Sequence, residues 1–266
     1  MGDLILFFSL TLAVTWSAWA AAILVVREGV PFQLLLYLGI FTPALVALGL
    51  TARSEGRQGV EALLRRLVQW QVATRWYLFA IFYLVAVKLA AAVVYRIVGG
   101  VWPAFNFETL PLMLAATALS TVVMGQAGEE LGWRGYALPR LERHLGLGMA
   151  SILIGMFWAS WHLPLFYLPA SETSGQSFPL YLVQVTGLSV AIGCLYGHTN
   201  RSLLLVMLMH AAINNTKDIV PALARSPTNP FSPGAPLLGW IGAAIIWTAA
   251  VPLLMTMPKR PPIESR

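Results

Sequence analysis

The chain has 266 residues, of which 58% are hydrophobic and 11% charged, with a net charge of +6 and a mean hydropathy of +0.72. Soluble domains carry about 25% charged residues, so these values exclude a soluble globule and indicate a polytopic membrane protein with little mass outside the bilayer. The positive balance does not point to nucleic acid, because the basic residues are distributed over loops and not gathered on one exposed domain. The single cysteine, Cys194, lies within an apolar run, which rules out an intramolecular disulfide and a cysteine-rich metal site.

Spanning a bilayer takes roughly 20 apolar residues. By that measure eight segments qualify in chain order: Leu4–Val26, Phe32–Thr51, Trp76–Val98, Thr109–Leu131, Met149–Leu168, Phe178–Gly197, Ser202–Val220 and Leu237–Met257. The first is read as a retained span, since only Asp3 precedes it and no basic n-region is present. Pro43 interrupts the second, and Lys88 in the third faces the bundle or pairs with a carboxylate. Between the second and third, Val60–Gln71 carries Leu63, Leu64, Leu67 and Val68 on one stripe, which predicts an amphipathic helix on the membrane surface. The outer loop Pro221–Pro236, rich in proline, is expected to be irregular. The Gly193–Gly197 pair fits close helix packing.

The arginines set the orientation. Arg53, Arg57, Arg65, Arg66 and Arg75, then Arg134, Arg140 and Arg143, then Arg201, and finally Lys259, Arg260 and Arg266 all fall on one side of an eight-span topology. The positive-inside rule makes that side, and both termini, cytoplasmic. The expected architecture is an all-α polytopic bundle of about eight transmembrane helices. It forms one integral membrane domain over 1–266, with a motif-bearing core at about 109–220.

Three short patterns inside the apolar runs carry the chemistry. An ionisable residue within a span is costly and marks function by default. The first pattern is Glu129-Glu130-Leu-Gly-Trp-Arg134. Glu130 and Arg134 are four apart and share a helix face, while Glu129 points about 100° away around the axis. One carboxylate is thus held by the arginine and the other is left for general-base work. The second is Trp158-Ala-Ser-Trp-His162, and the third is His210-Ala-Ala-Ile-Asn214, whose spacing puts imidazole and amide on one face as donors for an oxyanion. Each pattern alone also suits helix packing. Their joint occurrence is what indicates a hydrolytic site. There is no H-E-x-x-H and no G-x-S-x-G. Glu129, His162 and His210 are a donor set of the type that binds zinc. The same residues also suit a metal-free mechanism, so the residues leave either no cofactor or one divalent metal.

The order E-E-x-x-x-R, aromatic-x-x-x-H, H-x-x-x-N, each on its own apolar span, resembles the CPBP family, which includes type II CAAX prenyl proteases and Abi-type intramembrane proteases. The resemblance covers Glu129 to Asn214. It implies Glu129 as the water-activating carboxylate with His162 as its partner, His210 and Asn214 as the oxyanion donors, and Glu130 and Arg134 in support. Trp158 stands where the family usually has phenylalanine, which implies a changed pocket shape with activity kept. The resemblance further implies a protein or lipidated peptide substrate, such as a prenylated C-terminal tail, reached from the cytoplasm or from membrane lipid, in a prokaryotic cell membrane and with no nucleic acid. A non-catalytic membrane immunity or interaction protein of the Abi type is the alternative, and a proton-coupled transporter is a third reading. His144 and His198 match no motif and are read as incidental.

One expectation concerns depth. At 1.5 Å per residue, His162 lies about 20 Å into its span, His210 about 12 Å into its own, and Glu129 near a span end. These agree if the fourth helix continues toward Pro139 and Leu141–Leu147 runs along the surface, around a cavity open to the cytoplasm.

Overall fold

Backbone polar groups in hydrocarbon must be satisfied within their own segment, which makes helices the available form for apolar runs of this length. The computed structural model follows that rule. It describes residues 2–102, 108, 110–123, 125–169, 171–216, 229–232 and 236–258, and among these it is predominantly helical, with short turns and loops between helices and without strands. The helices are α1 (Gly2–Ala21), α2 (Gly29–Arg65), α3 (Thr74–Ile97), α4 (Leu110–Val123), α5 (Gly125–Glu130), α6 (Leu138–Trp161), α7 (Phe178–His198), α8 (Leu203–Asn215) and α9 (Leu237–Thr256). Six helical stretches among the described residues are long and apolar enough to cross a membrane: Gly2–Val26, Gly29–Val68, Thr74–Ile97, Gln126–Tyr167, Phe178–His198 and Leu237–Thr256. The expected fourth span is divided between α4 and α5, and the expected seventh is represented by α8, an apolar helix below crossing length. The prolines of the outer loop at 221–228, Asp218 and the basic tail at 259–266 lie outside the described residues.

The expected continuation past Glu130 is present. A π-helix, Leu131–Ala137, joins α5 to α6 without a break, and the helix runs through Pro139 until Gly146, whose φ of 77° and ψ of 160° interrupt it. Residues 143–145, just before this break, are exposed. All seven π-helix residues are buried. Two glycines in this run allow the close packing. A Cβ on Gly132 would meet the backbone of Pro43 in α2 at 2.7 Å, and one on Gly135 would meet Leu63 at 2.8 Å. Pro43 therefore sits inside a continuous α2, as the surface against which the motif-bearing helix packs.

The predicted amphipathic segment forms the end of α2 beyond Gly56, whose φ of 64° kinks the helix, and continues as a 3-10 turn at Arg66–Val68. Leu63 is buried, whereas Leu64 and Val68 are exposed, so only part of the predicted stripe faces the bundle. This segment grips the bundle through hydrogen bonds. Arg66 donates Nε to the Arg201 carbonyl at 3.1 Å, Nη1 to Gly135 at 3.2 Å and Nη2 to Arg134 at 3.5 Å. Gln69 donates to the Asn200 carbonyl, and Ser202 Oγ donates to the Gln69 carbonyl while capping α8 by accepting from Leu205 N–H. Arg201 pairs with Glu142 and Arg140 with Glu55. The arginine-bearing loops thus meet at one end of the bundle. The start of α1 is there too, since Asp3, Arg140, Arg143 and His144 line one cavity.

Helices α6 and α7 pack closely, and small residues explain it. A Cβ on Gly155 would lie 2.7 Å from Thr186 Cα, and one on Gly197 would lie 2.7 Å from Leu147. Gly193 faces Ser151, so the Gly193–Gly197 pair does serve close packing. On the other side of α6, Phe7 and Phe8 of α1 pack on Trp133, and Phe8 stacks on Phe157 at 4.0 Å between centroids. Trp161 Nε1 donates to Thr15 Oγ1 at 2.9 Å, tying α1 to the end of α6.

Candidate active site

The site assembles where α5, the π-helix, α6, α7 and α8 converge. Glu129 and Glu130 close α5, one helical turn before Arg134 in the π-helix. Arg134 Nη1 donates to both oxygens of Glu130, at 2.8 and 3.0 Å. Its Nη2 donates to Ser189 Oγ on α7 at 3.1 Å, and Ser189 in turn donates to the Ser151 carbonyl on α6 at 2.7 Å. Glu130 and Arg134 are both fully buried. A buried charge pair is tolerated only when its remaining valences are hydrogen-bonded, and this network supplies them.

The second valence of Glu130 goes to α8. His210 Nδ1 lies 2.8 Å from Glu130 Oε1, and His210 is 2% exposed. A carboxylate bonded this way accepts, so Nδ1 carries the proton. His162 is fixed differently. Its Nδ1 lies 2.8 Å from the Trp158 carbonyl. A carbonyl only accepts, so Nδ1 is the donor, and in the neutral ring Nε2 keeps its lone pair. The His162 ring is wedged edge-on between Trp161 at 4.6 Å and Tyr181 of α7 at 5.6 Å.

Glu129 is held on its own side. Trp158 Nε1 donates to Glu129 Oε2 at 2.7 Å. The Trp158 ring lies 4.9 Å from that of His210, edge to face, and the Arg134 guanidinium sits 4.6 Å from its centroid. Of the residues expected at the site, the structure thus joins Glu129, Glu130, Arg134, Trp158, His162 and His210 through direct contacts. Asn214 follows His210 by one turn on α8 and is exposed. Ser189, Ser151 and Tyr181 are additions that no local pattern marks. His198, read as incidental, stacks on Trp76 at 4.8 Å, and its Nδ1 lies 2.9 Å from the Cys194 carbonyl.

Glu129, His162 and His210 have the chemistry of a zinc donor set, yet their side chains do not converge on one point. Among the described residues no group of three or more His, Cys, Asp or Glu is placed to hold a metal. The nitrogens at Nδ1 of both histidines are already committed to protein acceptors.

Residues 111–216 match the family described as type II CAAX prenyl endopeptidase, Rce1-like. The motif-bearing segment is Rce1-like. The matched span holds every residue of the site from Glu129 to Asn214. The chain is also similar to a CAAX prenyl protease 2 of Methanococcus maripaludis, 24% identical over 234 residues, which cover 81% of this chain and 84% of that protein. Together with the membrane-length helices, the Rce1-like match supports an intramembrane protease, a hydrolase of the peptide bond.

Proposed function

We propose that the protein is an endopeptidase of the CAAX-protease type in which Glu129 and His162 activate water. The observation that carries this reading is the division of labour between the two glutamates. Glu130 is saturated by Arg134 and His210, whereas Glu129 takes one bond from Trp158 and keeps an oxygen for chemistry. His162 Nε2 is the second acceptor for the water, because Nδ1 is committed to a carbonyl.

In the proposed step Glu129 takes a proton from water as the water oxygen bonds to the scissile carbon. The carbonyl electron pair moves onto its oxygen, giving a tetrahedral oxyanion. His210 and Asn214 donate to that oxygen. With Nδ1 directed at Glu130, donation from Nε2 requires the imidazolium. That charge state balances two carboxylates against Arg134 and His210 in a buried cluster, the arrangement that buried charges require. Collapse of the intermediate breaks the C–N bond, and the proton held by Glu129 passes to the leaving amine.

The substrate class proposed is a protein or lipidated peptide, with a prenylated C-terminal tail as the leading case. The arginine-rich end of the bundle is proposed as the cytoplasmic face, and the cell membrane as prokaryotic. The test is cleavage of a fluorogenic farnesylated C-a-a-X peptide by detergent-solubilised protein, with and without a strong chelator. Loss of the general base is expected to lower the rate about 10²–10⁴-fold in Glu129→Ala, with a comparable loss in His162→Ala. Retained hydrolysis in either variant refutes the assignment, and the chelator arm reports whether a metal is required.

A further inference from the structure

We infer that Trp158 is a positioning residue whose indole N–H sets the rotation of the Glu129 carboxylate. The consequence for rate rests on the protease reading above, but the contact itself does not. The terminal torsion of a glutamate is broad and nearly two-fold, so a carboxylate without a fixed donor presents either oxygen, in a range of planes, to a bound water. Trp158 Nε1 removes that freedom by engaging Oε2 at 2.7 Å, which under the proposed mechanism assigns the attack on water to Oε1. An indole nitrogen only donates, so the bond has one sense and cannot invert with the protonation of a neighbour.

Trp158 is itself held by several contacts. It is buried, its ring is faced by Arg134 and meets the His210 ring in a T-shaped contact, and its carbonyl accepts from His162. One residue thereby touches the general base, its histidine partner, the oxyanion histidine and the supporting arginine. The carbonyl contact to His162 is a backbone feature that any residue at 158 supplies. The N–H contact to Glu129 belongs to tryptophan, and a phenylalanine there leaves the carboxylate without this donor. The sequence suggested a change of pocket shape at this position; the geometry adds a hydrogen bond to the base.

Two measurements test this. In ¹⁵N-indole spectra of the micelle-embedded protein, the Trp158 resonance is identified by its loss in Trp158→Phe. It is expected to move when Glu129 becomes alanine. Separately, a benzothienylalanine at position 158 keeps the bicyclic shape and the ring contacts but has no N–H. It is expected to lower kcat on the farnesylated peptide by about 10–100-fold, in line with the rate cost of misplaced reacting groups, with KM within about twofold. An indole resonance that ignores Glu129→Ala, or parental kcat in the isostere, overturns the inference. A parent protein that cleaves no peptide counts against the protease reading instead, and the resonance then decides the contact on its own.

Discussion

Replacing Arg134 by methionine removes three hydrogen bonds at once: two to Glu130, at 2.8 and 3.0 Å, and one to Ser189 at 3.1 Å. It leaves the Glu130 carboxylate fully buried with His210 as its remaining partner among these contacts. A net charge-assisted bond is worth about 1.5–3 kcal/mol, and breaking a buried ion pair from one side costs roughly 3–5 kcal/mol because the other charge is stranded. Arg134→Met is therefore expected to lose about 3–5 kcal/mol. The double variant Glu130→Gln/Arg134→Met removes both members and leaves Glu129 opposite His210. It is expected to recover about 0.5–3 kcal/mol of that loss, the range found for directly coupled sites. The assay is an SDS titration of the micelle-embedded protein followed by tryptophan fluorescence, for which the chain carries ten reporters. An Arg134→Met midpoint equal to that of the parent would refute the reasoning, as would a double variant no more stable than the single one.

Three further predictions concern hydrogen bonding and packing along the helices. Arg66→Ala withdraws donors from the carbonyls of Arg134, Gly135 and Arg201. Leaving such groups unsatisfied costs about 1–3 kcal/mol, so the same titration should register it, and amide exchange should quicken across the π-helix. Gly132→Ala sets a Cβ 2.7 Å from the Pro43 backbone, which cannot yield as a flexible side chain would. It should abolish folded protein in size-exclusion profiles. Gly49→Ala has no atom within 4 Å of its added Cβ and should be neutral, or stabilising by up to about 1 kcal/mol through helix propensity.

Much of this protein can be read from residue order because polarity is costly in hydrocarbon. Apolar runs of crossing length allow only helices here, so class and architecture were legible from composition and segment length. Glu129, Glu130, Arg134, His162 and His210 stood out because charged and imidazole groups are rare in such runs, and the Glu130–Arg134 pair could be read from its spacing of four. The span count was less legible, because length on a hydropathy scale does not report where a helix ends. The described part of the fourth expected span is shared by two helices, and α8 is short.

Which group meets which is set by the packing of the helices. His210 is eighty residues from Glu130, yet it bonds to that carboxylate, and the Trp158 indole reaches Glu129 across twenty-nine. Ser189 and Arg66 join the network over separations of fifty-five and about seventy residues. The π-helix at Leu131–Ala137 likewise answers to its surroundings, since all seven residues are buried. Local spacing records only which side chains share a face of one helix. The angle at which two helices cross, and hence which donor comes within 3 Å of which acceptor, is set by the small residues and bulky rings that fill the space between them.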